Sequence, residues 1–218
     1  MINLYKITEG DVEYTLGKMN GQMISYDFKK ILEYLEAKGK LMFGEQFKIY
    51  KQDHDLILKL SCYFIKDESY CEARGIDLNK GILLSGPVGS GKTSLMKLIR
   101  NLSLNKRKIE VVPTRNIVFA YNHLGTKTIE DFGNRHCYCF DDLGIEPMGK
   151  YYGNTYNVMG EILLSRYELF LETNIKTHLT TNLNAVEIEE RYGTRVRSRM
   201  RHLFNLITFD KDTTDKRI

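Results

Sequence analysis

The run Gly86, Pro87, Val88, Gly89, Ser90, Gly91, Lys92, Thr93 constrains the fold of this chain more than any other stretch. It fits G-x-x-x-x-G-K-[ST], it follows the apolar residues Ile82 to Leu84, and the helix-forming stretch Ser94 to Ile99 comes after it. A strand that turns through glycines into a helix is the context this motif requires. The glycines let successive backbone N–H groups turn toward one point, and the helix adds the positive end of its dipole there. Such a cradle selects phosphate.

The pattern around the loop repeats. From Gly81 onward, Ile82 to Leu84, Ile109 to Val112, Cys137 to Phe140, His178 to Thr181 and Leu206 to Phe209 read as short buried strands separated by helical stretches. That alternation predicts right-handed crossovers and a parallel sheet covered by helices on both faces. Upstream, Ser25 or Asp27 is placed to cap a helix carrying Phe28, Ile31, Leu32 and Leu35, with Gly39 as its expected stop. A second helix is expected from about Asp53 to Ile65. Residues 1–21 show no clear period and receive no assignment.

Composition narrows the class only a little. With 218 residues and 42% of them apolar, the chain can bury one substantial core. A net charge of +4 permits contact with nucleic acid without requiring it. The four cysteines, Cys62, Cys71, Cys137 and Cys139, form no C-x-x-C pair and read as reduced core residues. There is no signal-like N-terminus and no apolar run of about 18 residues, so a cytoplasmic protein with no membrane span is expected.

Phosphate chemistry needs more than a cradle. Lys92 is expected to bridge the β and γ phosphates of ATP, with Thr93 ligating Mg²⁺ and Ser94 beginning the helix beside them. The strand Cys137 to Phe140 ends in Asp141 and Asp142. Asp141 is expected on the metal, and Asp142 as the base that deprotonates the attacking water. An aspartate reaches less far than a glutamate, which predicts slow hydrolysis or switch-like behaviour. Asn182 follows the strand His178 to Thr181 and is expected to sense the γ phosphate or the attacking water; a strand-end asparagine alone would be an ordinary turn residue. Glu189 to Arg201 reads EERYGTRVRSRMR. On a helix after Gly193, Arg195 and Arg199 share one face, and Arg197 and Arg201 another. A solvated face, contact with nucleic-acid phosphates and an arginine finger acting on a neighbour's ATP all account for these stripes.

With these residues in place, the chain resembles the AAA+ ATPases of the DnaC-type helicase loader and IstB-type transposition helper families. The resemblance covers roughly residues 53–209 and rests on GILLSGPVGSGKTSL, CFDDLGIEP, SRYELF followed by THLTTNL, and RYGTRVRSRM. It implies a P-loop NTPase (AAA+) α/β fold with a five-stranded parallel sheet. It also implies Asn182 as first sensor, Arg199 as the arginine finger, and a helical initiator-type insertion near Thr114 to Gly125. The chain stops soon after Phe209, so no C-terminal lid domain is expected. Residues 1–50 are expected to form a helical, partner-binding segment, and 51–218 the ATPase domain.

The function so implied is an ATP-hydrolysing DNA-replication accessory. It would form an ATP-dependent homo-oligomer and deliver a replicative helicase to single-stranded DNA. The alternative is a transposition helper that activates a transposase on duplex DNA. A small-molecule kinase fits less well, because about eighty residues precede the loop and no arginine-rich lid segment follows it midway. A regulatory ATP switch that scarcely hydrolyses is a third class. Arg166 and Tyr167 match an Arg-Tyr pair that recurs in the family before the sensor strand, where a helix-face salt bridge and an active-site role are equally open.

Overall fold

A computed structural model describes residues 5–103 and 108–216. It opens with two antiparallel hairpins, β1 (Lys6–Glu9) with β2 (Val12–Thr15) and β3 (Gly17–Asn20) with β4 (Met23–Tyr26). Gly10 and Gly21 stand first in the two-residue loops at φ +59° and +64°, the conformation a type II′ turn needs there. The segment left unassigned in the sequence is thus built of strands too short for alternation to reveal them.

Helix α1 (Phe28–Phe43) starts at Asp27, whose carboxylate accepts from the Lys29 and Lys30 N–H groups. It does not stop at Gly39. A Cβ there would fall 2.2 Å from the Phe47 ring, so the glycine lets that ring lie against the helix, which ends at Gly44 with φ +104°. Helices α2 (His54–Phe64) and α3 (Glu68–Ala73) follow.

The rest alternates strand and helix. β5 (Gly81–Ser85) leads into α4 (Lys92–Ile99), and β6 (Glu110–Pro113) into α5 (Thr114–Leu124) and α6 (Thr126–Phe132). β7 (Tyr138–Leu143) is followed by a hairpin of β8 (Gly149–Tyr151) and β9 (Asn154–Tyr156), then α7 (Val158–Thr173). β10 (Thr177–Thr181), α8 (Ala185–Leu203) and β11 (Phe204–Thr208) complete the order. The five expected strands form one parallel sheet in the order β11-β5-β10-β7-β6. Among the described residues no helix follows β11, and none is long and apolar enough to cross a membrane.

Alternation along the strands divides the core in two. Ile82, Leu84, Cys139 and Ile207 face the cluster that holds Leu35, Leu60 and Met96, whereas Leu83, Phe140 and Leu179 face Ile117, Ile162 and Val196. α1, α2 and α4 therefore cover one face, and α5, α7 and α8 the other. The strand ends that carry Gly86, Asp142 and Asn182 lie along one edge of the layer, where ligands bind in open α/β sheets. α8 is longer than expected, beginning at the Asn184–Glu187 capping box and breaking at Gly193, where φ is +86°.

Candidate nucleotide site

The loop between β5 and α4 closes on itself. Lys92 is buried, and its ammonium donates to the carbonyl oxygens of Gly86 at 2.9 Å and Pro87 at 2.8 Å. Gly89 and Gly91 take φ of +80° and +91°, and Gly91 caps α4 in the left-handed region. Alternating hands of this kind make a concave nest of backbone N–H groups suited to an anion. A side chain at Gly89 is disfavoured by its positive φ, and its Cβ would lie 2.1 Å from the Asp215 carboxylate, which would have to move.

The acidic strand meets the loop through a hydroxyl. Thr93 Oγ1 donates to Asp141 Oδ1 at 2.9 Å, and Thr180 Oγ1 donates to the same oxygen at 2.7 Å. Asp141 is buried, while Asp142 next to it borders the open cleft. Adjacent residues of a regular strand point to opposite faces, so both acids serve one site only if the strand is irregular. It is: Leu179 pairs with Phe140 and Thr181 with Leu143, so Asp141 and Asp142 together oppose Thr180 in a β-bulge. Asp142 takes φ +55°, held by its N–H donating to Thr180 Oγ1 at 2.8 Å and by Thr114 Oγ1 donating to its carbonyl at 2.9 Å. Left-handed geometry at a non-glycine residue is uncommon and concentrates at functional sites.

A cleft of about 490 Å³ opens over the loop. Val88, Gly89, Ser90, Gly91, Lys92, Thr93, Ser94, Asp142 and Asn182 all line it. Gly86 and Pro87 act through the lysine, and Asp141 through Thr93. The apolar part of the lining, which the sequence did not disclose, includes Leu35, Phe47, Ile49, Tyr50 and Phe209. At the mouth Lys216 donates to Asp53 Oδ2 at 2.6 Å and to the Ser90 carbonyl at 2.8 Å, with its ammonium 4.8 Å from the centre of the Phe209 ring. The residues fit a nucleoside triphosphate with a divalent cation: a glycine nest, a lysine within it, a hydroxyl and carboxylate in contact, and an apolar lining beside them.

Arg199 lies outside this cleft. α8 descends from the Asn182 end of the sheet to the start of β11, and Arg199 sits one turn before that lower end, its guanidinium 4.8 Å from the centre of the Tyr167 ring. Tyr167 in turn contacts His202 Nδ1 at 3.3 Å. Arg166 has neither of the two roles left open for it. It is fully buried, donating to Thr177 Oγ1 at 2.7 Å, the Lys176 carbonyl at 3.2 Å and the Asn134 carbonyl, over the Tyr138 ring. Burial lowers its pKa to about 10. It ties α7 to the sheet edge opposite the loop. Glu146, also missed, is buried between the Gly144 N–H and the Tyr192 hydroxyl, with Arg191 Nε at 3.5 Å, so it joins the loop after the acids to α8.

Solved structures with the same architecture decide the fold. The DnaC helicase loader superposes with a TM-score of 0.56 over 76% of this chain and 95% of that one, at 18% sequence identity. This is the AAA+ fold. DnaI superposes with a TM-score of 0.55, covering 84% of this chain and 94% of its own, at 18% identity. The AMPPCP-bound DnaA from Aquifex aeolicus gives 0.51 at 16% identity; this chain spans about half of it, 49%. The sequence itself matches no family model and no curated protein.

Proposed function

We propose that this chain is a Mg²⁺-dependent ATPase of the helicase-loader kind, acting with DNA and a replicative helicase. The observation that carries the reading is the Thr93–Asp141 contact, which brings the phosphate loop and the acidic strand together in a cleft shared with Lys92, Asp142 and Asn182. In this reading Lys92 leaves its loop carbonyls for the β and γ phosphates, and the loop N–H groups take the remaining phosphate oxygens. Thr93 and Asp141 hold the metal, which neutralises phosphate charge. Asp142 accepts the proton of the attacking water, and Asn182 donates its amide to the γ phosphate or orients that water. The wall of Ile49, Tyr50 and Phe209 receives the base.

Arg199 serves the site of a neighbouring copy, because α8 carries it away from the cleft of its own chain; the active form is then a homo-oligomer. Residues 51–218 carry the phosphate loop and the acids of the ATPase domain; within residues 1–50, α1 and the segment to Tyr50 complete its core and apolar wall, and the two hairpins before α1 present the partner-binding surface. The architecture shared with the DnaC helicase loader and DnaI over nearly the whole length of each supports the loader role.

Two measurements test the reading. Wild-type protein should bind ATP with Mg²⁺ and release phosphate, and Lys92→Ala should do neither; equal binding and turnover in the variant refute the site. Protein held in its ATP-bound state should retain a replicative helicase from host extract. Retention of a transposase instead refutes the loader role and leaves the ATPase chemistry standing.

A further inference from the structure

Phe209 extends the pairing of β11 with β5, its N–H donating to the Ser85 carbonyl at 2.8 Å. Its side chain packs on the first residue of the phosphate loop, where a Cβ at Gly86 would fall 2.7 Å from that of Phe209. The chain then turns on Asp210, whose carboxylate accepts from the Asp212 N–H at 3.3 Å and whose carbonyl accepts from the Thr213 N–H at 3.1 Å. Beyond the turn it meets the phosphate loop again, the Lys216 N–H donating to the Gly89 carbonyl at 3.0 Å.

The Lys216 side chain reaches from the loop to the apolar lining of the cleft. Its ammonium donates to the Ser90 carbonyl at 2.8 Å and to Asp53 Oδ2 at 2.6 Å, and stands 4.8 and 5.6 Å from the ring centres of Phe209 and Tyr50. Asp53 ends the 3₁₀ turn Lys51–Asp53, and its N–H donates to the Tyr50 carbonyl at 3.0 Å, so a hold on Asp53 is a hold on Tyr50. An ion pair in open solvent contributes little. This pair is enclosed: the two side chains are 14% and 9% exposed, and the ammonium is shared with a carbonyl and two rings.

We propose that Lys216 is a positioning residue that fixes the apolar lining against the phosphate loop, so that the base and the triphosphate of ATP are held as one unit. The inference rests on the reading of the cleft as an ATP site. A lysine that only shaped the loop would affect every phosphate ligand alike. One that sets loop against lining affects a ligand that uses both, because the two parts no longer have to be ordered at the moment of binding.

The test measures affinity of the full chain for ATP and for inorganic tripolyphosphate, which has phosphates and no base, by calorimetry with Mg²⁺, alongside thermal unfolding of each variant. Charge alone gives opposite signs: losing Lys216 weakens the hold on a polyanion, and losing Asp53 strengthens it. The positioning role gives one sign. Lys216→Met and Asp53→Asn should each weaken ATP binding about tenfold. The double variant, which restores the charge balance and leaves neither partner alone, should bind ATP no more weakly than the weaker single variant. In that double variant tripolyphosphate should bind within about twofold of wild type. Lys216→Arg, which keeps a charged donor, should recover most of the ATP affinity. ATP affinity that rises in Asp53→Asn, is unchanged in the double variant, or falls there by the same factor as that of tripolyphosphate overturns the inference and leaves the ATP site standing. If wild type binds no ATP, the reading of the site falls and the inference with it.

Discussion

The hydroxyl of Thr93 donates to Asp141 Oδ1 across 2.9 Å, joining the helix that follows the phosphate loop to the strand that carries the acids. Thr180 donates to the same oxygen, so Asp141 keeps its place when Thr93 changes. Thr93→Val preserves the branched shape and removes the hydroxyl proposed to ligate the metal. At a hundredfold excess over Kd, ligand binding stabilises the wild-type fold by about 2.7 kcal/mol. In Thr93→Val the thermal shift with ATP and Mg²⁺ should shrink to that seen with ATP and a chelator.

Asp142 is held in the left-handed region by Thr180 and Thr114, and asparagine tolerates that conformation well. Asp142→Asn should therefore fold and bind ATP as wild type does. Loss of the base should slow phosphate release by about 10²- to 10⁴-fold. Unchanged turnover removes Asp142 from the chemistry.

Arg199 leans on Tyr167, away from its own cleft. Arg199→Ala should keep ATP affinity and lose turnover, as Lys92→Ala should lose both. Mixing the two inactive proteins should restore part of the turnover, because one supplies the intact cleft and the other the arginine. No recovery in the mixture, with assembly confirmed, counts against action between copies.

Arg166 should matter to the fold and not to the nucleotide. Arg166→Met leaves the Asn134 and Lys176 carbonyls and the Thr177 hydroxyl without their donor, a loss of about 3 kcal/mol in urea unfolding. ATP affinity of the folded fraction should stay at the wild-type value.

His178 is fully enclosed in β10, where Nδ1 accepts the Ile82 N–H at 3.1 Å, and burial lowers its pKa to about 3. Between that value and the unfolded-state value of about 6.5, the unfolded chain binds the extra proton. Stability contributed by the neutral ring is thus complete above about pH 6.5 and falls as pH drops below it, by up to about 1.4 kcal/mol per pH unit. Urea unfolding of wild type against His178→Gln, whose amide oxygen can accept the same N–H, should show a steeper fall between about pH 6.5 and pH 5 in the histidine protein.

The parallel sheet was legible because each strand is a short apolar run set off from a helix by turn residues, a signal that survives without tertiary context. The phosphate loop was legible for a different reason: glycine, lysine and threonine at fixed spacing have few other uses. Other parts depend on contacts between distant residues. Thr114 and Thr180 read as unremarkable β-branched residues, yet they hold the bulge that lets Asp141 and Asp142 serve one site. Gly39 looked like a helix stop because a glycine accommodating the Phe47 ring and a glycine ending a helix are the same letter. Tyr50 and Phe209 meet at one cleft from opposite ends of the chain, which no local pattern records.

The first hairpin is anchored to α1 through Glu9, which accepts from the Tyr34 hydroxyl at 3.1 Å and the Lys38 ammonium at 2.5 Å. One residue on from Tyr34, Leu35 lines the nucleotide cleft. A grip on the outer hairpin is therefore a grip on a wall of that cleft. Linked equilibria are reciprocal, so any partner that shifts α1 by holding the hairpin changes nucleotide affinity by the same factor as the nucleotide changes the partner's hold. Were a partner on the opening residues to shift α1 in this way, its load would be read at the cleft.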